Sequence, residues 1–330
     1  MDYPLSTFAQ GNLNPPGPPG AAMKALDQIQ PRTIINASNT PGTSESLYKI
    51  TQPGSYYFTG NLTGVSGKNG IEIAATNVII DLNGFTLMGV PGSRTGIVAT
   101  NGGAYVYAGL RVRNGAITGW GEYGINTIFA GSPGAFSSLT FQNNGTGLSA
   151  VQSLMTDCIA QNNGTGITGN QNRIFNCIAV GNSTGFGAFN GSLVEGCVAT
   201  TNSTGIIAAS GSRIINNVVN ANTTGLSVAD FCRVSGNLIT GPANSPGTGI
   251  LFATGSGTTV ESNMMVSNST AGLSLTSLTA VRHLVTGNLA QGNGTNYLIT
   301  STNNAYGPVA NVGGVGDISA FPIPWYNFSY

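Results

Sequence analysis

MTDCIAQNN (155–163), IFNCIAVGN (174–182), VEGCVATTN (194–202) and IINNVVNAN (214–222) are four copies of one pattern. Each opens on an apolar residue, Met155, Ile174, Val194 or Ile214. Three places later comes Cys158, Cys177, Cys197 or Asn217. A second apolar residue follows two places on, at Ala160, Ala179, Ala199 or Val219. The copies close on Asn163, Asn182, Asn202 and Asn222. Further copies start at Val260 and Val285, and an earlier one at Phe136. The copy starting at Val234 carries Pro242 where the closing Asn belongs. Between copies a Gly-apolar pair recurs, as at Gly147-Leu148, Gly166-Ile167, Gly185-Phe186, Gly205-Ile206 and Gly225-Leu226.

A unit of about 20 residues cannot bury its own apolar face and must stack on its neighbours. Stacked in register, each coil pairs with the next through parallel hydrogen bonds at about 4.8 Å. The apolar positions then form interior columns. The Asn and Cys positions form ladders, in which amides bond from coil to coil and satisfy turn backbone. The repeat therefore predicts an all-β chain: one right-handed parallel β-helix, a solenoid of about 10–11 coils and on the order of 50 Å long. Leucine-rich repeats share the period but need leucine columns, and propellers need longer antiparallel blades.

Composition agrees. Charged residues make up only 7% of the 330 residues, while Gly numbers 49. Amphipathic helices need Glu and Lys on their wet faces, so few can form. Many short strands with Gly and Asn turns can. Formal net charge is zero, and all three lysines (Lys24, Lys49, Lys68) precede residue 70. That excludes a basic stripe for nucleic acid and a polybasic membrane patch. No apolar run reaches the ~20 residues of a membrane span. The start, Met1-Asp2-Tyr3-Pro4, has neither the basic n-region nor the apolar core of a signal peptide. Either export does not use that route, or Met1 replaces a removed leader. The Ser, Thr, Asn and Gly surface suits an extracellular, cell-surface or virion setting.

The ends of such a rod need covers. Residues 1–55 are read as an N-terminal linker and cap, with the Pro-Gly run 15–20 and a short helix over Met23–Ile29. Residues 56–302 form the solenoid. Residues 303–330 form an irregular C-terminal tail or cap, and its aromatics Trp325, Tyr326, Phe328 and Tyr330 are candidates for assembly with a neighbouring molecule.

The coil pattern resembles the right-handed parallel β-helix superfamily of pectate lyases, polygalacturonases and phage tailspikes. Residues 18–32 (PPGAAMKALDQIQPR), 52–58 (QPGSYYF) and 81–87 (DLNGFTL), with Gly307-Pro308 and residues 314–318 (GVGDI), look like a bacterial group of β-helix repeat proteins of unassigned function. The resemblance implies a fold and no particular chemistry. Lyases of the superfamily use a calcium-binding carboxylate cluster with an Arg or Lys base, and its hydrolases use two or three close carboxylates. Here no two acids occupy adjacent coils in one column. Glu195 and Glu261 share a column three coils apart, and Asp157 sits one column over. Asp81 and Arg113 share a column and are read as a surface ion pair. Arg213 and Arg233 are expected to stack on adjacent coils.

Cys158, Cys177 and Cys197 are read as a buried thiol ladder rather than a disulfide, because register places their Cβ atoms near 4.8 Å. Cys232 is placed in an outward column and read as the reactive thiol. His283 lacks ligands at metal spacing and is read as structural. No metal and no cofactor are expected.

Lengthened coils carry Tyr105, Tyr107, Trp120, Glu122, Tyr123 and Phe129, a candidate platform for a glycan. A column of Thr146, Thr165, Thr184, Thr204 and Thr224, continued by Thr270, gives a narrower alternative, ice binding. The reading adopted is a non-catalytic extracellular scaffold or adhesin that self-assembles, binds polysaccharide, or both. The alternative enzyme reading is a lyase or glycoside hydrolase acting on an acidic polysaccharide.

Overall fold

The computed structural model describes residues 32–99, 109–128, 133–242, 247–276, 282–300, 304–311 and 325–330. Among them there are strands and turns and no helix. The expected helix at 23–29 lies outside the described residues. The chain is a right-handed parallel β-helix of about 11 turns.

Each regular coil lays down three short strands. In one coil these are Thr184–Phe189, Leu193–Glu195 and Val198–Thr200. Corresponding strands stack in parallel along the rod, giving one 12-stranded sheet and a 24-stranded sheet that bends into the other two faces. The bend is visible in two long strands, Arg111–Thr118 and Ala135–Gln142, each of which serves both of those faces. Coiling begins ahead of residue 56: Thr33–Ile34 pairs with Gly54–Tyr57, and Ser46–Ile50 with Asn69–Ile73.

Side-chain alternation fills the interior. Met155, Ile174, Val194, Ile214 and Val234 form one fully buried column; Phe141, Ala160, Ala179, Ala199 and Val219 form a second. The glycine of each Gly-apolar pair is required by the coil above. A Cβ on Gly205 would lie 2.6 Å from the Gly225 carbonyl oxygen and 3.0 Å from the Asn222 amide nitrogen.

Polar ladders turn the corners. Asn144, Asn163, Asn182 and Asn202 each donate their side-chain amide to the Oδ1 of the next member, ending at Asn222, with every bond 3.0 Å. A second ladder starts at Cys158, Cys177 and Cys197 and continues through Asn217, Asn237, Asn263 and Asn288 to Asn327. Each ladder residue from Asn144 to Asn288 follows a left-handed one. Asn162 (φ 55°), Asn176 (φ 51°) and Asn216 (φ 55°) precede Asn163, Cys177 and Asn217. Asn tolerates this conformation because its short side chain bonds locally.

A third ladder went unseen in the sequence. The backbone N–H of Ser153 donates to Asn172 Oδ1, and that of Asn172 to Ser192 Oγ. Farther along, Cys232 donates to Thr258 Oγ1, Thr258 to His283 Nδ1 and His283 to Asn304 Oδ1. This corrects the placement of Cys232: its side chain faces inward and is 2% exposed. Burial pushes its thiol pKa up, which removes the reactivity expected of it.

All four cysteines are free and buried. Hydrogen bonding with Cys177, together with burial, pushes the Cys158 and Cys197 thiols up. Among its described residues the tail adds strands. Ala305–Tyr306 pairs with Leu284–Thr286, and Asn327–Ser329 slots between Leu289–Gln291 and Val309–Asn311.

Candidate functional site

On the early coils the outward columns of one face form an open groove of about 440 Å³. Its wall runs Ser55, Ile79, Arg111, Ala135 and Leu154 along one column, and Arg113 and Ser137 along the next. Strand pleat puts Arg111 and Arg113 on the same side, about 7 Å apart along the chain. Ile79, Ala135 and Leu154 supply an apolar floor, and Ser55 and Ser137 supply hydroxyls.

Asp81 anchors the charged edge. It is in register with Arg113, as the repeat alignment requires. It is not a surface group, however, being only 5% exposed. Its Oδ2 accepts Arg113 Nε at 3.1 Å; its Oδ1 accepts the Asn83 N–H at 3.0 Å and Asn114 Nδ2 at 3.3 Å. Arg32 adds a guanidinium 3.7 Å from Oδ2 and lies over the Tyr57 ring at 4.7 Å. Burial works against the ionised carboxylate, but the Asn83 N–H, Asn114 and Arg113 outweigh it and hold the pKa below its ordinary value. Two guanidiniums thus flank one carboxylate, and among the described residues Arg111 makes no ion pair.

Of the proposed aromatic platform, Trp120, Glu122 and Tyr123 lie among the described residues. Trp120 is 1% exposed and belongs to the core, a correction to its candidacy. It occupies the Asn-ladder position of its own coil: its backbone N–H donates to Asn144 Oδ1, and its indole N–H reaches the Leu87 carbonyl inside the rod. Glu122 is held by Arg94 at 3.5 Å and by the Thr95 hydroxyl at 3.2 Å. Tyr123 stands in register with Thr95 and Thr146 on the 12-stranded sheet. Tyr105, Tyr107 and Phe129 lie outside the described residues.

Glu195 and Glu261 are three coils apart, linked through Ile215 and Ser235. Arg213 and Arg233 are adjacent, and Arg233 pairs with Glu261 at 2.6 Å. The threonine column is in register from Thr146 to Thr224 but passes next to Thr248 and then Ala271, so Thr270 stands one place out. Among the described residues no group of three or more His, Cys, Asp or Glu is placed to hold a metal. In the tail, Trp325 is 62% and Tyr330 45% exposed, while Phe328 and Tyr326 are half-buried.

No protein-family model and no curated protein matches the sequence. Solved structures do. The A-module of the Azotobacter vinelandii mannuronan C-5 epimerase AlgE4 shares 14% identity at a TM-score of 0.62, over 83% of this chain and 88% of that one. A mutant of the periplasmic alginate epimerase AlgG shares 12% identity at a TM-score of 0.56, over 83% and 82%. A double mutant of the tailspike protein of E. coli bacteriophage HK620, solved with a pentasaccharide, shares 13% identity at a TM-score of 0.63, over 79% of this chain and 60% of that one. At such identities the likeness establishes the fold.

Proposed function

We propose that the chain is a carbohydrate-binding β-helix whose groove takes an anionic polysaccharide. The observation that carries this reading is the open groove with Arg111 and Arg113 side by side above an apolar floor. Guanidinium forks match carboxylates and sulfates in a bidentate way. Ser55 and Ser137 are placed to bond sugar hydroxyls, while Ile79, Ala135 and Leu154 would meet the C–H face of a ring. The similar structures support a glycan ligand, being titled as alginate epimerases or as a pentasaccharide complex. They also fit a surface or periplasmic setting, and among the described residues no helix is long and apolar enough to cross a membrane.

We read the role as binding without turnover. The acid at the groove edge is Asp81, and its oxygens are occupied by Asn83, Asn114 and Arg113. A carboxylate committed in this way positions an arginine; it does not shuttle a proton. The ice-binding alternative finds one half-buried threonine per coil in its column from Thr146 to Thr224.

Calorimetry against polyuronate, sulfated and neutral polysaccharides tests the reading. Binding of the anionic polymers should weaken with salt and be lost in Arg111→Gln. Equal binding of neutral polymers would overturn it, and unsaturated or new reducing-end products would replace it with an enzyme.

A further inference from the structure

One outward column is apolar for seven consecutive coils: Ile159, Ile178, Val198, Val218, Leu238, Met264 and Leu289. Five of these are among the exposed large hydrophobics, from Ile178 at 37% to Val218 at 42%. The other outward column of the same strands reads Gln161, Val180, Thr200, Asn220, Thr240, Val266 and Gln291. The two columns together contain no ionisable group. On the adjoining face Arg173, Glu195, Arg213, Arg233 and Glu261 break up the surface, so the bare strip belongs to one side of the rod.

We propose that this strip is the seam along which the chain packs against a second copy of itself. Single exposed apolar residues need no explanation, whereas a continuous exposed strip marks an interaction site. A strip of this length covers about 30 Å of rod. With its side-chain relief it approaches the ~800 Å² per partner of a standard interface. Absence of charge removes the like-charge repulsion that a self-contact would otherwise carry. The identical spacing of the ridges lets two rods interlock side by side, each aliphatic seating beside its counterpart. The tail extends the strip, because Phe328 stands beside Leu289 in the same column. The sugar groove lies on a different face and stays open in such a pair.

Sedimentation velocity on the full chain over a wide concentration range tests this. The parent should self-associate. Val218→Lys and Leu238→Asp should each weaken association at least tenfold, with circular dichroism unchanged because both side chains point outward. Ser227→Lys, on the 12-stranded sheet, should leave it intact. Val218→Cys should give an interchain disulfide on oxidation, since the four natural thiols are buried. A parent that stays monomeric at every concentration with no Val218→Cys cross-link overturns the proposal. So does a parent whose association is as sensitive to Ser227→Lys as to Val218→Lys.

Discussion

Asn288 donates both its backbone N–H and its side-chain amide to Oδ1 of Asn327, each at 3.1 Å, across 39 residues of chain. The last member of the ladder is therefore supplied by the tail. Asn327 itself donates to the Val285 and Gly307 carbonyls. Asn327→Ala removes four hydrogen bonds and takes the acceptor from the buried Asn288 N–H, while Asn288 Nδ2 keeps the Val260 and Thr286 carbonyls and Val285 keeps the Gly307 N–H; the loss should cost about 2–4 kcal/mol. Solenoid coils lean only on their neighbours, so the loss should fray one end first. Hydrogen exchange should accelerate around residues 284–299 while residues 155–220 stay protected.

This ladder shows what the sequence could and could not disclose. Asn163, Asn182, Asn202 and Asn222 were legible because one residue type recurs at one spacing. The third ladder escaped because its members change from Ser153 to Asn172, Ser192, Cys232, Thr258 and His283; only their constant place, two before the first apolar residue, could have revealed them. Trp120 reads as a loop aromatic because nothing local says that it stands at a ladder position. The groove was the least legible. Interior columns are held to apolar or ladder-bonding residues, whereas outward columns are free to vary. Ser55, Ile79, Arg111, Ala135 and Leu154 therefore make no motif, and only the Asp81–Arg113 pair emerged from the register alone. The aliphatic strip was visible in principle, since the residue after each ladder Cys or Asn is always aliphatic from Ile159 to Leu289.

Glycine should help at one corner position and Ala should harm at another nearby. Ala221 holds φ at 53°, a left-handed conformation costing an ordinary residue about 1–2 kcal/mol. Ala221→Gly should raise stability by about 1 kcal/mol, the remainder being offset by unfolded-chain entropy. Gly205→Ala should instead lower it by about 3 kcal/mol or prevent folding, because its Cβ would press on the Gly225 carbonyl oxygen at 2.6 Å. Urea midpoints of the two variants check the opposite signs.

Acid should weaken the rod through His283. Its Nδ1 accepts the Thr258 N–H, so Nε2 carries the proton, and that nitrogen is buried with no hydrogen-bond partner among the described residues. Burial lowers the imidazole pKa, more than the facing carbonyl of Gly255 and the charge of Asp230 raise it. The unfolded chain therefore binds the proton more readily than the folded one. Stability is full above the ordinary imidazole value of about 6.5 and falls as pH drops through and below it. His283→Asn, which keeps an acceptor at the ladder position, should flatten the urea midpoint over that range.

The cysteines should be silent until the rod opens. Cys158, Cys177, Cys197 and Cys232 are all buried, and a thiol shut away from solvent is inert to reagents. A thiol probe should label none of them in the native protein and all four in denaturant. Rapid native labelling of Cys232 would restore it as the reactive thiol.

Asp81 separates net charge from positioning in the groove. Were electrostatic attraction alone at work, Asp81→Asn would tighten an anionic polysaccharide by removing a negative charge. The geometry predicts the reverse. The Asp81 carboxylate fixes Arg113 through Nε at 3.1 Å and holds Arg32 at 3.7 Å. A neutral amide loses the ion pairs and leaves Arg113, whose side chain is half exposed, to wander. Pre-organised guanidiniums bind better than mobile ones, because the ordering cost is met on folding. Asp81→Asn should therefore weaken polyuronate binding severalfold, whereas Arg111→Gln abolishes it, as measured by calorimetry at one fixed salt concentration. Tighter binding by Asp81→Asn would show that the groove works through summed charge and that Asp81 positions nothing.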